Sequence, residues 1–177
     1  MEQILENIMD KMNEIEYGFK LNNKNIYPQN DDEWSNDFAK QYRLQSPIEL
    51  MKSKLGVCWD QVELERFYFK EKGIDVKSYF IVHYDGNKCP CHTFISYEKD
   101  NKFYWFEHAW EKHRGIKEFN SEECLLREVK KCFIELELKN GYNEDYLFIY
   151  NYPTPKEHID VIGFYKNAEK GISVKPE

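Results

Sequence analysis

The residues of this chain best suited to chemistry are a thiol, an imidazole and a carboxylate spread over one compact stretch. Cys58 follows Gly56-Val57 at the mouth of a helix-forming run, Val57 to Lys72, that contains no proline and stops at Gly73, a natural residue for the turn after a helix. A thiol placed there sits among unpaired backbone N–H groups at the positive end of the helix dipole, a position that favours the thiolate. His92 lies at the start of a strand-like segment, Cys91 to Tyr97, and Glu107 lies in the next one, Phe103 to Trp110. Nucleophile, base and orienting acid in that order is the chemistry of acyl transfer: the thiol attacks a carbonyl, the imidazole carries the proton, and the acid holds the imidazole.

The elements that must position these groups are readable in outline. Ile4, Leu5, Ile8, Met9, Met12 and Ile15 give residues 2 to 16 the pattern of an amphipathic helix, and Gly18 is expected to end it. Residues 20 to 31 carry four Asn and one Pro without periodicity and read as a surface loop, with a short helix from Asp32 to Tyr42. Ser46-Pro47-Ile48-Glu49 is a helix start with a capping box and Pro at the first position, predicting a short helix to about Leu55. Strands are expected over residues 74–84, 91–97 and 103–110, with a further short one over 115–119. Asp85-Gly86-Asn87 and Lys99-Asp100-Asn101 supply the turns between the first three. A helix from Ser121 to about Leu138, a strand over 145–152 and a last helix from Thr154-Pro155 to Lys170 complete the chain. The fold class expected is α+β.

Gly56-Val57-Cys58, then His92-Thr93-Phe94, then Trp105-Phe106-Glu107 resembles the transglutaminase-like superfamily of papain-like thiol enzymes. The likeness spans about residues 54 to 110. It implies a helix bearing Cys58 packed on an antiparallel sheet; the N-terminal helices and C-terminal helix–strand–helix that flank this core come from the residue pattern alone. It also implies catalytic roles for Cys58, His92 and Glu107. The chain departs from the family in using Glu rather than Asp as the acid, and in having Thr93-Phe94 after the histidine. The organisation expected is one domain over 1–177, with an extension over 1–45, the catalytic core over 46–152 and a C-terminal helix over 153–177. The Arg-Gly-Gly-x-Cys start of arylamine N-acetyltransferases is not matched by Lys54-Leu55-Gly56-Val57-Cys58.

Whether Glu107 can reach His92 depends on the hairpin between their strands. A two-residue Asp100-Asn101 loop sets His92 opposite Ala109, with Glu107 a diagonal neighbour on the same face. A loop two residues longer sets His92 directly opposite Glu107, and a three-residue loop sets it opposite His108. Two of these three registers select Glu107. Gln41 and Gln45 stand upstream of Cys58, where a papain-like enzyme carries an oxyanion-hole glutamine; the Cys58 backbone N–H is the other donor considered.

Composition narrows the partners. With 25 Lys and Arg against 32 Asp and Glu, the net charge is −7, which disfavours nucleic acid and anionic membrane surfaces. Thirteen Tyr and 12 Phe argue for an ordered core rather than a disordered chain. Met1 to Glu6 lacks a basic, apolar leader pattern, and no run of residues is apolar enough to span a bilayer, so a reduced cytoplasmic setting is expected for five irregularly spaced cysteines. Cys89-Pro90-Cys91-His92 has the wrong spacing for a structural zinc site and no second pair, so neither metal nor cofactor is expected. Cys124 and Cys132 fall eight apart, on the same helix face as Leu125, Val129 and Phe133, and are expected in the core. The function anticipated is a thiol-dependent hydrolase, a peptidase or deamidase acting on a peptide or carboxamide. An amine-accepting transglutaminase or N-acyltransferase, and a non-catalytic interaction module, are the alternatives.

Overall fold

The computed structural model describes residues 2–22, 24–28, 34–84, 89–138 and 141–176. Helix α1 (Glu2–Met12) buries Leu5, Ile8 and Met12, one face of the amphipathic pattern. Where the sequence reads as loop, β1 (Phe19–Leu21) and β2 (Lys24–Ile26) form a small antiparallel hairpin. Asn22, at φ 49°, helps to turn it, a conformation that asparagine tolerates better than most residues. The hairpin is held by burial of Phe19 against Trp34, Phe38 and Tyr42. The remainder of the expected loop, and the expected turn at Asp85-Gly86-Asn87, lie largely outside the described residues.

Helix α2 (Trp34–Gln41) leads to α3 (Pro47–Ser53), which starts on the expected capping box: Glu49 N–H donates to the Ser46 hydroxyl and Ser46 N–H to the Glu49 carboxylate. Helix α4 (Cys58–Glu71) follows and is the centre of the fold, its first eight residues all buried.

Beyond it come β3 (Lys77–His83), β4 (Cys91–Lys99), β5 (Lys102–Glu107), β6 (Gly115–Phe119), α5 (Glu122–Glu137), β7 (Leu147–Asn151), α6 (Val161–Ala168) and β8 (Ile172–Val174). The six long-range strands form one antiparallel sheet in the order β6-β5-β4-β3-β7-β8, so the fold is α+β. Alternation along the strands gives the sheet two apolar faces. Phe80, Val82, Ile95, Tyr97 and Phe106 pack with α1, α4 and α6, while Tyr79, Ile81, Phe94, Trp105 and Ile149 pack with α5.

The C-terminal third differs from expectation. Its last helix begins at Val161, not at Thr154, because Asp160 caps it: the carboxylate accepts from Gly163 N–H at 2.7 Å. The chain before it turns at His158 (φ 61°) and is tied down by two backbone bonds to Leu44. After α6 the chain adds β8 to the sheet edge, so the end is helix–strand–helix–strand. No helix among the described residues is long and apolar enough to cross a membrane.

Candidate active site

The turn in front of α4 is fixed from three sides. Lys54, in the left-handed region at φ 54°, ends α3 and redirects the chain. Gly56 passes so close to Leu50 and Asp60 that a Cβ there would lie 2.6 Å from Leu50 Cδ1 and 2.9 Å from Asp60 Cβ. Asp60, two residues after the cysteine, gathers the loop from inside: Val57 N–H donates to Oδ2 at 2.9 Å, and the Tyr42 hydroxyl and Gln45 N–H donate to Oδ1 at 2.7 and 2.8 Å. Burial raises the Asp60 carboxyl to about 7 even though these donors pull it down. The result is a rigid approach that sets Cys58 at the first position of α4, where its N–H has no intrahelical acceptor.

His92 lies at the start of β4 and Glu107 at the end of β5. Asp100 and Asn101, both at positive φ (51° and 59°), close the hairpin as a two-residue loop and pair Lys99 with Lys102 and Ser96 with Trp105. Carrying that register on sets Glu107 one diagonal step from His92 on the same face. The two side chains meet, His92 Nε2 to Glu107 Oε2 at 2.9 Å, both only 2% exposed. Glu107 is a hub of donors: Trp105 Nε1–H reaches Oε2 at 3.2 Å and Trp110 N–H reaches Oε1 at 2.8 Å. The Trp110 ring covers the imidazole in a parallel stack, centroids 3.7 Å apart and planes 7° apart.

Cys58, 4% exposed, comes to the same place from the other side of the sequence and lies within hydrogen-bonding reach of the His92 ring. Since Nε2 is committed to Glu107, Nδ1 is the nitrogen left to exchange a proton with the thiol. Burial by itself would push the imidazole pKa down. The Glu107 charge, with hydrogen bonds from the ring to Cys58 and Glu107, overrides it and raises His92 to about 9. That upward shift favours the imidazolium form of the ring beside the sulfur. No protein-family model matches this sequence, and neither does any curated protein.

The three residues singled out from the sequence are thus brought together, whereas several neighbours go elsewhere. His108 faces the opposite way, its Nδ1–H donating to Gln61 Oε1 at 2.7 Å while Gln61 Nε2 donates to Gly56 O at 2.9 Å. Burial, helped by Arg114, lowers His108 to about 4 and keeps it neutral. Gln41 is exposed and donates to Asp37; Gln45 spends its amide on Leu55 O and the Ser53 hydroxyl. Neither glutamine is presented to Cys58. Cys91 accepts from the Tyr165 hydroxyl and Cys89 is exposed, while His92 turns to Glu107; among the described residues no cluster of three or more His, Cys, Asp or Glu could hold a metal ion.

Cys132 is buried but Cys124 is exposed, contrary to expectation. Eight residues on a helix leave about 80° of rotation between them, and Cys124 sits in the first turn, where its N–H donates to the Ser121 cap. Residues not singled out from the sequence for this site include Asp60, Trp110 and Tyr17. Asp60 and Trp110 lie within three residues of Cys58 and Glu107, so adjacency was the available signal. Tyr17 carries no such mark, yet its hydroxyl points at Cys58 Sγ from 3.9 Å.

Proposed function

We propose that this chain is a thiol-dependent acyl-transfer enzyme with a transglutaminase-like, papain-like core over residues 46–152. Cys58 is its nucleophile, His92 its base and Glu107 its orienting acid. The observation that carries the reading is the buried contact of His92 Nε2 with Glu107 Oε2 at 2.9 Å, with Cys58 within reach of the same ring and at a helix N-terminus. A ring held this way has one orientation and is supported as the imidazolium, which is what a proton carrier serving a thiol requires.

In the reaction, Cys58 sulfur forms a bond to the carbonyl carbon of a peptide or carboxamide and the carbonyl electron pair moves to oxygen. Collapse of this adduct breaks the C–N bond, and the proton held by His92 leaves with the amine. Water, deprotonated by His92, then attacks the thioester and releases the acid. An amine in place of water would give transamidation. Hydrolysis is the first reading, and a reducing compartment such as the cytoplasm suits a nucleophilic thiol.

Iodoacetamide labelling at pH 6, followed by peptide mapping, tests the assignment. Cys89 and Cys124 are exposed and Cys58 is buried, so access alone would put Cys58 behind them. Cys58 is expected to be modified first, and to lose that priority in His92→Ala. Labelling of the exposed cysteines ahead of Cys58 would remove the case for an activated thiol.

A further inference from the structure

An acyl-transfer site needs a donor for the oxygen that becomes negative when the thiol adds, and both upstream glutamines are engaged elsewhere. The chain brings a different donor. Residues 16 to 18 run alongside the turn before α4 like a short parallel strand: Glu16 N–H donates to Lys54 O at 2.8 Å, and Gly56 N–H donates to Glu16 O at 3.0 Å. Gly18 is pressed in so closely that a Cβ would lie 2.6 Å from Ile26 O and 2.8 Å from Leu55 Cδ1. The residue between these anchors is Tyr17. The residue is 38% exposed and its ring lies 6.4 Å from that of Trp34, while its hydroxyl turns inward to Cys58 Sγ. Among the described residues that sulfur is its one acceptor.

We propose that Tyr17 is a catalytic residue, the side-chain half of the oxyanion hole, with the Cys58 N–H as the other half; this rests on the acyl-transfer reading. At 3.9 Å the bond to sulfur is long and weak, so little is lost when the hydroxyl finds a better acceptor. In the tetrahedral adduct the oxygen lies two bonds from sulfur, on which the hydroxyl already bears, and moves toward the separation of about 2.7–3.1 Å that an oxyanion donor needs. Tyr17 keeps its proton throughout; it donates a hydrogen bond as the carbonyl pair moves to oxygen and returns to sulfur when that pair re-forms the C=O bond. Burial of the hydroxyl, reinforced by Cys58, holds its pKa well above the ordinary tyrosine range, so it is a neutral donor at any working pH.

The test is Tyr17→Phe, which keeps the ring, measured in two reactions of the same thiol. Acylation by p-nitrophenyl acetate passes through an oxyanion and releases p-nitrophenolate; alkylation by iodoacetamide makes no oxyanion. Acylation of Cys58 is expected to slow about 10²-fold, the low end for loss of one such donor, while alkylation stays within about threefold. Unchanged acylation in Tyr17→Phe overturns the assignment. Equal slowing of both reactions also overturns it, since Tyr17 would then be supporting the thiol itself. Wild-type protein that alkylates but never acylates removes the acyl-transfer reading, and Tyr17's role with it.

Discussion

Replacing Glu107 by Gln changes one atom and breaks one or two of three hydrogen bonds. As a carboxylate, Glu107 accepts from His92, Trp105 and Trp110, and all three donors point at it. A carboxamide has one acceptor oxygen. If that oxygen stays toward His92 and Trp105, the new NH₂ faces the Trp110 N–H, donor against donor; if it flips, it faces two donors. One buried donor left unsatisfied costs about 1–3 kcal/mol. The larger effect is on His92, which stands near 9 because the Glu107 charge, together with the hydrogen bonds to Cys58 and Glu107, outweighs burial. Without that charge the imidazole is expected to titrate at or below its ordinary 6.5, a fall of 2 or more units and so about 3 kcal/mol of imidazolium stabilisation. Removal of the orienting charge in a comparable serine triad lowers turnover about 10⁴-fold. NMR titration of the histidine ring resonances reads the first effect, and acylation by an activated ester reads the second. His108→Gln is the control, because His108 belongs to the Gln61 side of the sheet and should leave most of the activity. A His92 titration that Glu107→Gln does not move would refute the electrostatic argument, and equal losses in the two variants would refute the assignment of the acid.

Asp60→Ala removes the acceptor shared by Val57 N–H, Gln45 N–H and the Tyr42 hydroxyl, and is expected to cost about 3 kcal/mol in urea unfolding; a loss below about 1 kcal/mol would mean that the turn before Cys58 does not depend on it. Stability is also expected to fall steadily from pH 6.5 to 9. His92, raised from 6.5 to about 9, contributes fully below 6.5 and loses its share as pH rises through 9, and Asp60 and Glu63, both raised to about 7, have lost theirs by the time pH passes 7. His108, lowered to about 4, works in the opposite sense, but only between about 4 and 6.5. Thermal melts that stay level or rise between pH 6.5 and 9 would contradict this balance.

What the sequence disclosed, and what it hid, follow from the range of the interactions involved. The Ser46 capping box, the stop at Gly73 (φ 67°) and the Asp100-Asn101 loop are local, and each is where its residue types place it. That loop also fixed which of the considered hairpin registers holds, and with it the contact between His92 and Glu107. Three-residue strands such as β1, β2 and β8 are too short to show a period of two, and β8 exists only through pairing with β7. The late start of α6 depends on backbone bonds between residues 158–159 and Leu44, over a hundred positions away. Cys124 was misjudged by treating an offset of eight as one face of a helix. Tyr17 was missed because the parallel contact of Glu16 with Leu55 is a tertiary event with no local pattern behind it.

The same separations set the order in which the site is least costly to assemble. His92 and Glu107 are 15 residues apart in a single hairpin, whereas Tyr17 and Cys58 are separated by 41. Loop-closure entropy growing as three-halves of RT ln n makes the longer closure dearer by about 0.9 kcal/mol before any contact compensates it. The imidazole and its carboxylate can therefore form as a local unit while the chain is still largely open. The thiol and the tyrosine hydroxyl arrive together only when the first helix docks, which leaves the nucleophile without its partners until the rest of the molecule is in place.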